Sequence, residues 1–274
     1  MATENQLKTL SRKRQSPIDL RDDVARLKYL PPLTLIGHWL NDGEATLTNS
    51  GDYAVIELSG ERIPSIVKCG PLNDEYEFHN AHFHWAEDDC RGSEHTINST
   101  WFSMEAHVVH WNRKYRTFDE CLKHADGLCI LAYLFMVKDG KYCRSHSMLE
   151  KITDNLEDVV SFGATTNIPA NSLCWMREAV RCDYYYFYHG SYNKGDFPEC
   201  ALWIVFPNVI SIRSDQVGHL ISFNEKENAQ NFLLLKVAEF RKLQDAKGRE
   251  IKSNGRKLQL LGDRRIYKVF PCCE

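Results

Sequence analysis

Short runs of β-branched, aromatic and other apolar residues recur along the chain: Tyr53–Leu58, Ala81–Trp85, Trp101–Trp111, Cys129–Val137, Tyr184–Tyr188 and Ala201–Phe206. Turn residues separate them, and runs of this kind read as strands. Helical periodicity is sparse. Met148–Val160 places Leu149, Ile152, Leu156 and Val159–Val160 on one stripe, and Ser214–Ser222 is a shorter candidate after a strand. The pattern predicts a predominantly β protein of the α+β class with peripheral helices. No repeat, low-complexity segment or Pro/Gly/Ser linker divides the chain, so a single domain is expected.

Composition narrows the function classes. The chain has 274 residues with 34 Lys+Arg against 37 Asp+Glu, a net charge of −3. A general nucleic-acid binder needs clustered positive charge, and this chain has no surplus of it. No stretch approaches the ~20 apolar residues of a spanning helix. The opening segment, residues 1–15, lacks the apolar core of a secretory signal. Ten cysteines are scattered through the chain, several inside apolar runs such as Leu128-Cys129-Ile130-Leu131, which favours reduced thiols and a cytoplasmic protein. Asn98-Ser99-Thr100 fits a glycosylation acceptor, but without secretion it reads as chance.

The candidate chemistry lies in two strand-like segments. In Ala81-His82-Phe83-His84-Trp85, alternation puts His82 and His84 on one face and Phe83 on the other. Two imidazoles on a rigid strand suit a metal, although two polar residues on a solvated face would read the same way. In Glu105-Ala106-His107-Val108-Val109-His110, Glu105, His107 and Val109 share a face while His110 points away. If the two strands are neighbours, His107 supplies a third imidazole. Three neutral histidines leave a zinc ion one open position, and Glu105 is placed to orient a ligand ring through its second N–H. His110 reads as a structural histidine.

A series of motifs makes the pattern specific. Gln15-Ser16-Pro17-Ile18-Asp19, Cys69-Gly70-Pro71-Leu72, His82-Phe83-His84-Trp85, Gly92-Ser93-Glu94-His95-Thr96, Glu105 through Asn112, Asp126-Gly127-Leu128, Trp203-Ile204-Val205 and Asn254…Arg256 resemble the α-carbonic anhydrase family in order and spacing. The resemblance runs from about Arg14 to Tyr267. It implies a domain over residues 14–268, a polar extension over 1–13 and a short cysteine-containing tail over 269–274. It also implies a large twisted, mostly antiparallel central sheet, one zinc ion in a conical cleft, and reversible hydration of carbon dioxide to bicarbonate. Residue by residue, it implies His82, His84 and His107 as zinc ligands and Glu105 as the acidic partner of a ligand histidine. Asn80 stands where the family has a longer amide, Gln. Glu94 matches the buried carboxylate that orients the family's gatekeeping Thr, and Val109, Ile130 and Trp203 match the apolar wall where carbon dioxide rests.

The departures lie in one loop and one turn. Where the family reads Ser-Leu-Thr-Thr-Pro-Pro, this chain reads Ser191-Tyr192-Asn193-Lys194-Gly195-Asp196. Asn193 replaces the gatekeeping Thr; its carbonyl accepts and its amide donates, but it is one atom longer and planar. Lys194 brings an ammonium to the metal mouth or turns into solvent. Tyr192 adds bulk beside the apolar wall. Asp52 replaces the usual proton-relay His, and a carboxylate ordinarily titrates near ~3.9, far from neutral pH; His189 is a remote substitute. Three readings follow. They are a carbonic anhydrase of reduced rate, a zinc-retaining but silent relative that binds a protein partner, and an esterase using the same zinc-activated water.

Overall fold

The computed structural model describes residues 14–138, 148–212 and 240–272, so the Ser214–Ser222 helix candidate lies outside the described residues. The strands are β1 (Asp19–Leu20), β2 (Arg26–Leu30), β3 (Leu33–Ile36), β4 (Glu44–Asn49), β5 (Ala54–Ser59), β6 (Ile66–Cys69) and β7 (Tyr76–Trp85). They continue with β8 (Thr96–Ile97), β9 (Met104–Asn112), β10 (Leu128–Val137), β11 (Thr165–Ile168), β12 (Tyr185–Gly190), β13 (Ala201–Ile212) and β14 (Tyr267–Pro271). Twelve form one sheet in the order β11-β4-β5-β7-β9-β10-β13-β12-β14-β2, with β6 on β7 and β3 on β6. The pairings are antiparallel except β10 with β13 and β14 with β2. The predominantly β, mostly antiparallel architecture expected from the sequence is the one observed. Each of the six apolar runs falls within or overlaps a strand. Val269, Phe270 and Pro271, assigned above to the tail, are the last three residues of β14.

The Met148–Val160 stripe does not form one helix. It breaks into a helical turn at Glu150–Thr153 and a tighter turn at Glu157–Val159. Asp154-Asn155 stands at the break, and the Asn155 amide donates to the Lys151 carbonyl at 3.1 Å. Short polar side chains of this type compete with the backbone for helical hydrogen bonds. The apolar spacing still serves burial: Leu149, Ile152, Leu156 and Val159 are all inside.

The two faces of the sheet have different tasks. Phe83 and Trp85 of β7, Leu131, Tyr133 and Phe135 of β10, Trp175 and Phe240 pack the main core on one side. At ~1.5–3 kcal/mol for each fully buried large apolar side chain, this layer dominates the stabilisation of the fold. The opposite face carries a second cluster that includes Val109, Ile130, Tyr188, Tyr192 and Trp203. The His pair of β7 projects on this second side.

Candidate metal centre

Strand register assembles the centre. His82 pairs directly with His107 across β7 and β9, and His84 pairs with Glu105. Because side chains two apart share a face, Asn80, His82 and His84 line up beside Val109, His107 and Glu105. A β-bulge between Phe78 and Asn80 sets this alignment. All three histidines are fully buried, and their ring nitrogens form a group able to hold a metal ion.

Hydrogen bonding fixes each tautomer. His107 Nε2 lies 2.7 Å from Glu105 Oε1, an obligate acceptor when ionised, so Nε2 carries the proton and Nδ1 is bare. His82 Nδ1 lies 3.0 Å from Asn80 Oδ1, leaving Nε2 buried with no partner. His84 Nε2 lies 3.3 Å from the Asn193 amide nitrogen and accepts from it, which puts the His84 proton on Nδ1, 3.5 Å from Glu94 Oε1. Burial first, then neighbouring positive groups, hold His82 and His84 well below the usual imidazole range, so both are neutral. Three neutral imidazoles converging through bare lone pairs are the donor set of an open zinc site.

Glu105 is the hub. Its Oε2 accepts from the backbone of Glu94 at 2.8 Å and His95 at 2.7 Å, and its Oε1 takes His95 Nδ1 at 2.6 Å as well as His107. Burial pushes this carboxyl up, but the two imidazoles outweigh it and hold it well below the usual carboxylate range. The same geometry makes His95, Glu105 and His107 a second possible metal group, yet here the carboxylate already serves four donors. From His95 the chain of contacts continues to the Tyr188 hydroxyl at 2.6 Å and on to Ser16 Oγ at 2.9 Å. Ser16 then exchanges bonds with the Ser191 backbone and side chain at 3.1 and 3.0 Å. Gly190 permits this approach, since a Cβ there would stand 2.1 Å from Ser16 Oγ.

The apolar wall is also a register product. Val109 of β9 pairs with Ile130 of β10, which pairs with Trp203 of β13, and all three are fully buried. Tyr192 joins the same cluster, and its hydroxyl pairs with the Asn80 side chain, which fixes the amide that holds His82.

A family model for eukaryotic-type carbonic anhydrase matches residues 3–270. The chain belongs to the carbonic anhydrase family. Its relatives include carbonic anhydrase 3 of Mus musculus and of Sus scrofa, each 30% identical over 246 residues, covering 88% of this chain and 89% of the relative. Carbonic anhydrase 3 of Bos taurus is 29% identical over 242 residues with the same coverage.

Within this carbonic anhydrase fold, the structure brings most of the sequence-predicted residues together and separates one. Glu94 is buried, with Oε1 accepting from the Arg256 backbone at 2.6 Å and Oε2 from Asn193 Nδ2 at 3.0 Å. Burial and then the charge of Glu105 push its carboxyl up to about 7. Lys194 does not turn into solvent: its ammonium sits 4.2 Å above the Tyr53 ring, and burial brings it down to about 8. Asp52 is the residue left outside. It is exposed, and its backbone carbonyl accepts from Asn254 Nδ2 at 2.8 Å.

Tyr53 was missed. Its ring centroid stands 5.0 Å from that of His82 and 5.1 Å from that of His84, between the ligands and Lys194. The available signal was its place two residues before Val55, which pairs with His82. The Ser16–Tyr188–His95 chain was also unread, because its members come from three distant segments. His110 is structural as expected, paired with His38 through Nε2 atoms 2.8 Å apart on the other side of the sheet.

Proposed function

We propose that this chain catalyses zinc-dependent, reversible hydration of carbon dioxide to bicarbonate, at a rate lowered by its Asn193-Lys194 loop. The observation that carries the reading is the convergence of three buried, bare imidazole nitrogens from His82, His84 and His107, each with its outer nitrogen bonded to or facing a polar group. Zinc held there supplies a Lewis acid that brings the pKa of water down to ~7, the figure established for carbonic anhydrase itself. Glu105 and Asn80 keep the ligand rings oriented with their lone pairs inward. Glu94 and Asn193 orient the nucleophile, and Val109, Ile130, Tyr192 and Trp203 offer carbon dioxide an apolar resting place free of competing polar groups. Lys194 places positive charge where the bicarbonate product leaves, which favours retention of the anion. Asp52, exposed at the mouth, is the residue at the relay position, and its carboxylate is a weak proton carrier near neutral pH. Eight free cysteines among the described residues support a cytoplasmic setting. No described helix is long and apolar enough to cross a membrane.

One observation favours the silent, partner-binding reading: the Asn193 amide nitrogen reaches two of the ligand nitrogens. Stopped-flow carbon dioxide hydration by zinc-loaded protein separates the two. Measurable turnover is expected, rising at least tenfold in N193T/K194T, a change of ~1.4 kcal/mol in barrier. If both proteins bind zinc and neither turns over, the enzyme reading is wrong.

A further inference from the structure

Asn193 reaches further into the site than orienting a nucleophile requires. Its Nδ2 lies 3.3 Å from His84 Nε2 and 3.1 Å from His107 Nδ1, while also 3.0 Å from Glu94 Oε2. In a tetrahedral zinc site with Zn–N bonds of ~2.0–2.1 Å, two ligand atoms stand about 3.3–3.4 Å apart, the edge of the tetrahedron. Relative to two of the histidines, the amide therefore stands at the distance of a fourth ligand atom. A γ-hydroxyl can only touch what occupies that corner. A δ-amide is one bond longer and reaches the corner itself.

Two further facts point the same way. The NH2 group has two hydrogens for three acceptors, so one contact is always unserved. The Asn193 carbonyl Oδ1 is buried and has no partner, and a cation is the kind of group it lacks. The loop cannot retreat from the site to relieve this. Ser191 is tied on both sides to Ser16, its carbonyl accepts from Trp203 Nε1 at 3.0 Å, and the Tyr192 backbone donates to Pro198 at 2.8 Å.

We propose that the Asn193 side chain closes the three-histidine centre, turning its Oδ1 onto the fourth coordination position of a bound metal so that an outside ligand binds only by displacing it. The inference rests on the metal reading of the site, and it deepens the functional one by naming what lowers the rate. It makes this centre four-coordinate through protein atoms alone, the condition of structural zinc sites, with a ligand that is neutral and exchangeable.

The test loads the full chain with cobalt(II) and follows the visible absorption spectrum during titration with azide, a small anion that seeks an open metal position. The wild type is expected to need at least tenfold more azide than Asn193→Ala for the same spectral change. Asn193→Thr, which keeps a hydroxyl for Glu94, is the second variant should the Ala form fail to fold. Equal azide affinity in wild type and variant overturns the proposal, and so does a variant as unresponsive as the wild type. The outcome is independent of turnover. Variants that gain azide binding without hydrating carbon dioxide leave this inference standing and remove the enzymatic one. A wild type that hydrates carbon dioxide and binds azide like its variants does the reverse.

Discussion

Replacing Glu105 by Gln separates the cost to metal binding from the cost to folding. The carboxylate serves two backbone N–H groups through Oε2 and two imidazole N–H groups through Oε1. Gln keeps one accepting oxygen, and the backbone donors cannot change character, so the oxygen stays with Glu94 and His95 N–H. The NH2 then faces the two rings, which must adapt by changing tautomer. His95 can do so, because its Nε2 faces the Tyr188 hydroxyl. His107 can do so only by moving its proton to Nδ1, the nitrogen that faces the metal. Zinc must displace that proton and leave a buried donor facing a donor. Loss of a hydrogen-bonding partner behind a ligand histidine typically costs 10–100-fold in metal affinity, or ~1.4–2.7 kcal/mol. The metal-free fold loses less, about 1–2 kcal/mol, since most of the hydrogen bonds are remade. Chelator competition for zinc and urea unfolding of the metal-free protein measure the two quantities. Zinc affinity within threefold of wild type would refute the tautomer argument.

Other consequences are as direct. Elemental analysis of the purified protein should give one zinc per chain, and His107→Ala should remove most of it; full retention in that variant would dismiss the ligand assignment. His38 and His110 are both buried and held below the ordinary value of 6.5, His110 at about 3. Below pH 6.5 the unfolded chain therefore binds more protons than the folded one, and stability falls with falling pH at up to ~1.4 kcal/mol per unit for each group. Urea midpoints of metal-free protein should drop between pH 7 and 5, and a flat profile would contradict the neutral pair. Thiol titration of denatured, unreduced protein should approach the ten cysteines of the sequence, whereas a count of two or fewer would mean an oxidised protein.

The strands that build the site were legible because burial on both faces leaves a strong local mark. The runs around His82, His107, Ile130 and Trp203 became β7, β9, β10 and β13, and alternation alone placed His82 and His84 together. Edge elements left no such mark. β2 has four exposed residues out of five, and its position beside β14 follows from the parallel pairing of Arg26 with Tyr267, contributed by the far end of the chain. The Met148–Val160 stripe was legible as burial but not as a helix, because periodicity records which side faces inward and Asp154-Asn155 decides whether the backbone stays helical.

The site divides along the same line. What register controls, the ligand triad and the apolar wall, follows from alternation within strands once neighbours are known. What long-range contacts control does not. Tyr53 reaches His82 and His84 from a neighbouring strand's entry, and Lys194 settles on Tyr53 instead of water because the ring offers its ammonium a face while Asp52 and Glu94 lie near enough to favour its charge. The loop therefore carries the chain's individuality and the sheet carries its family character. A variant that changes only Asn193 and Lys194 tests function with the frame intact, since neither side chain belongs to the Glu105–His95–Tyr188–Ser16 chain that holds the ligands and the loop in place.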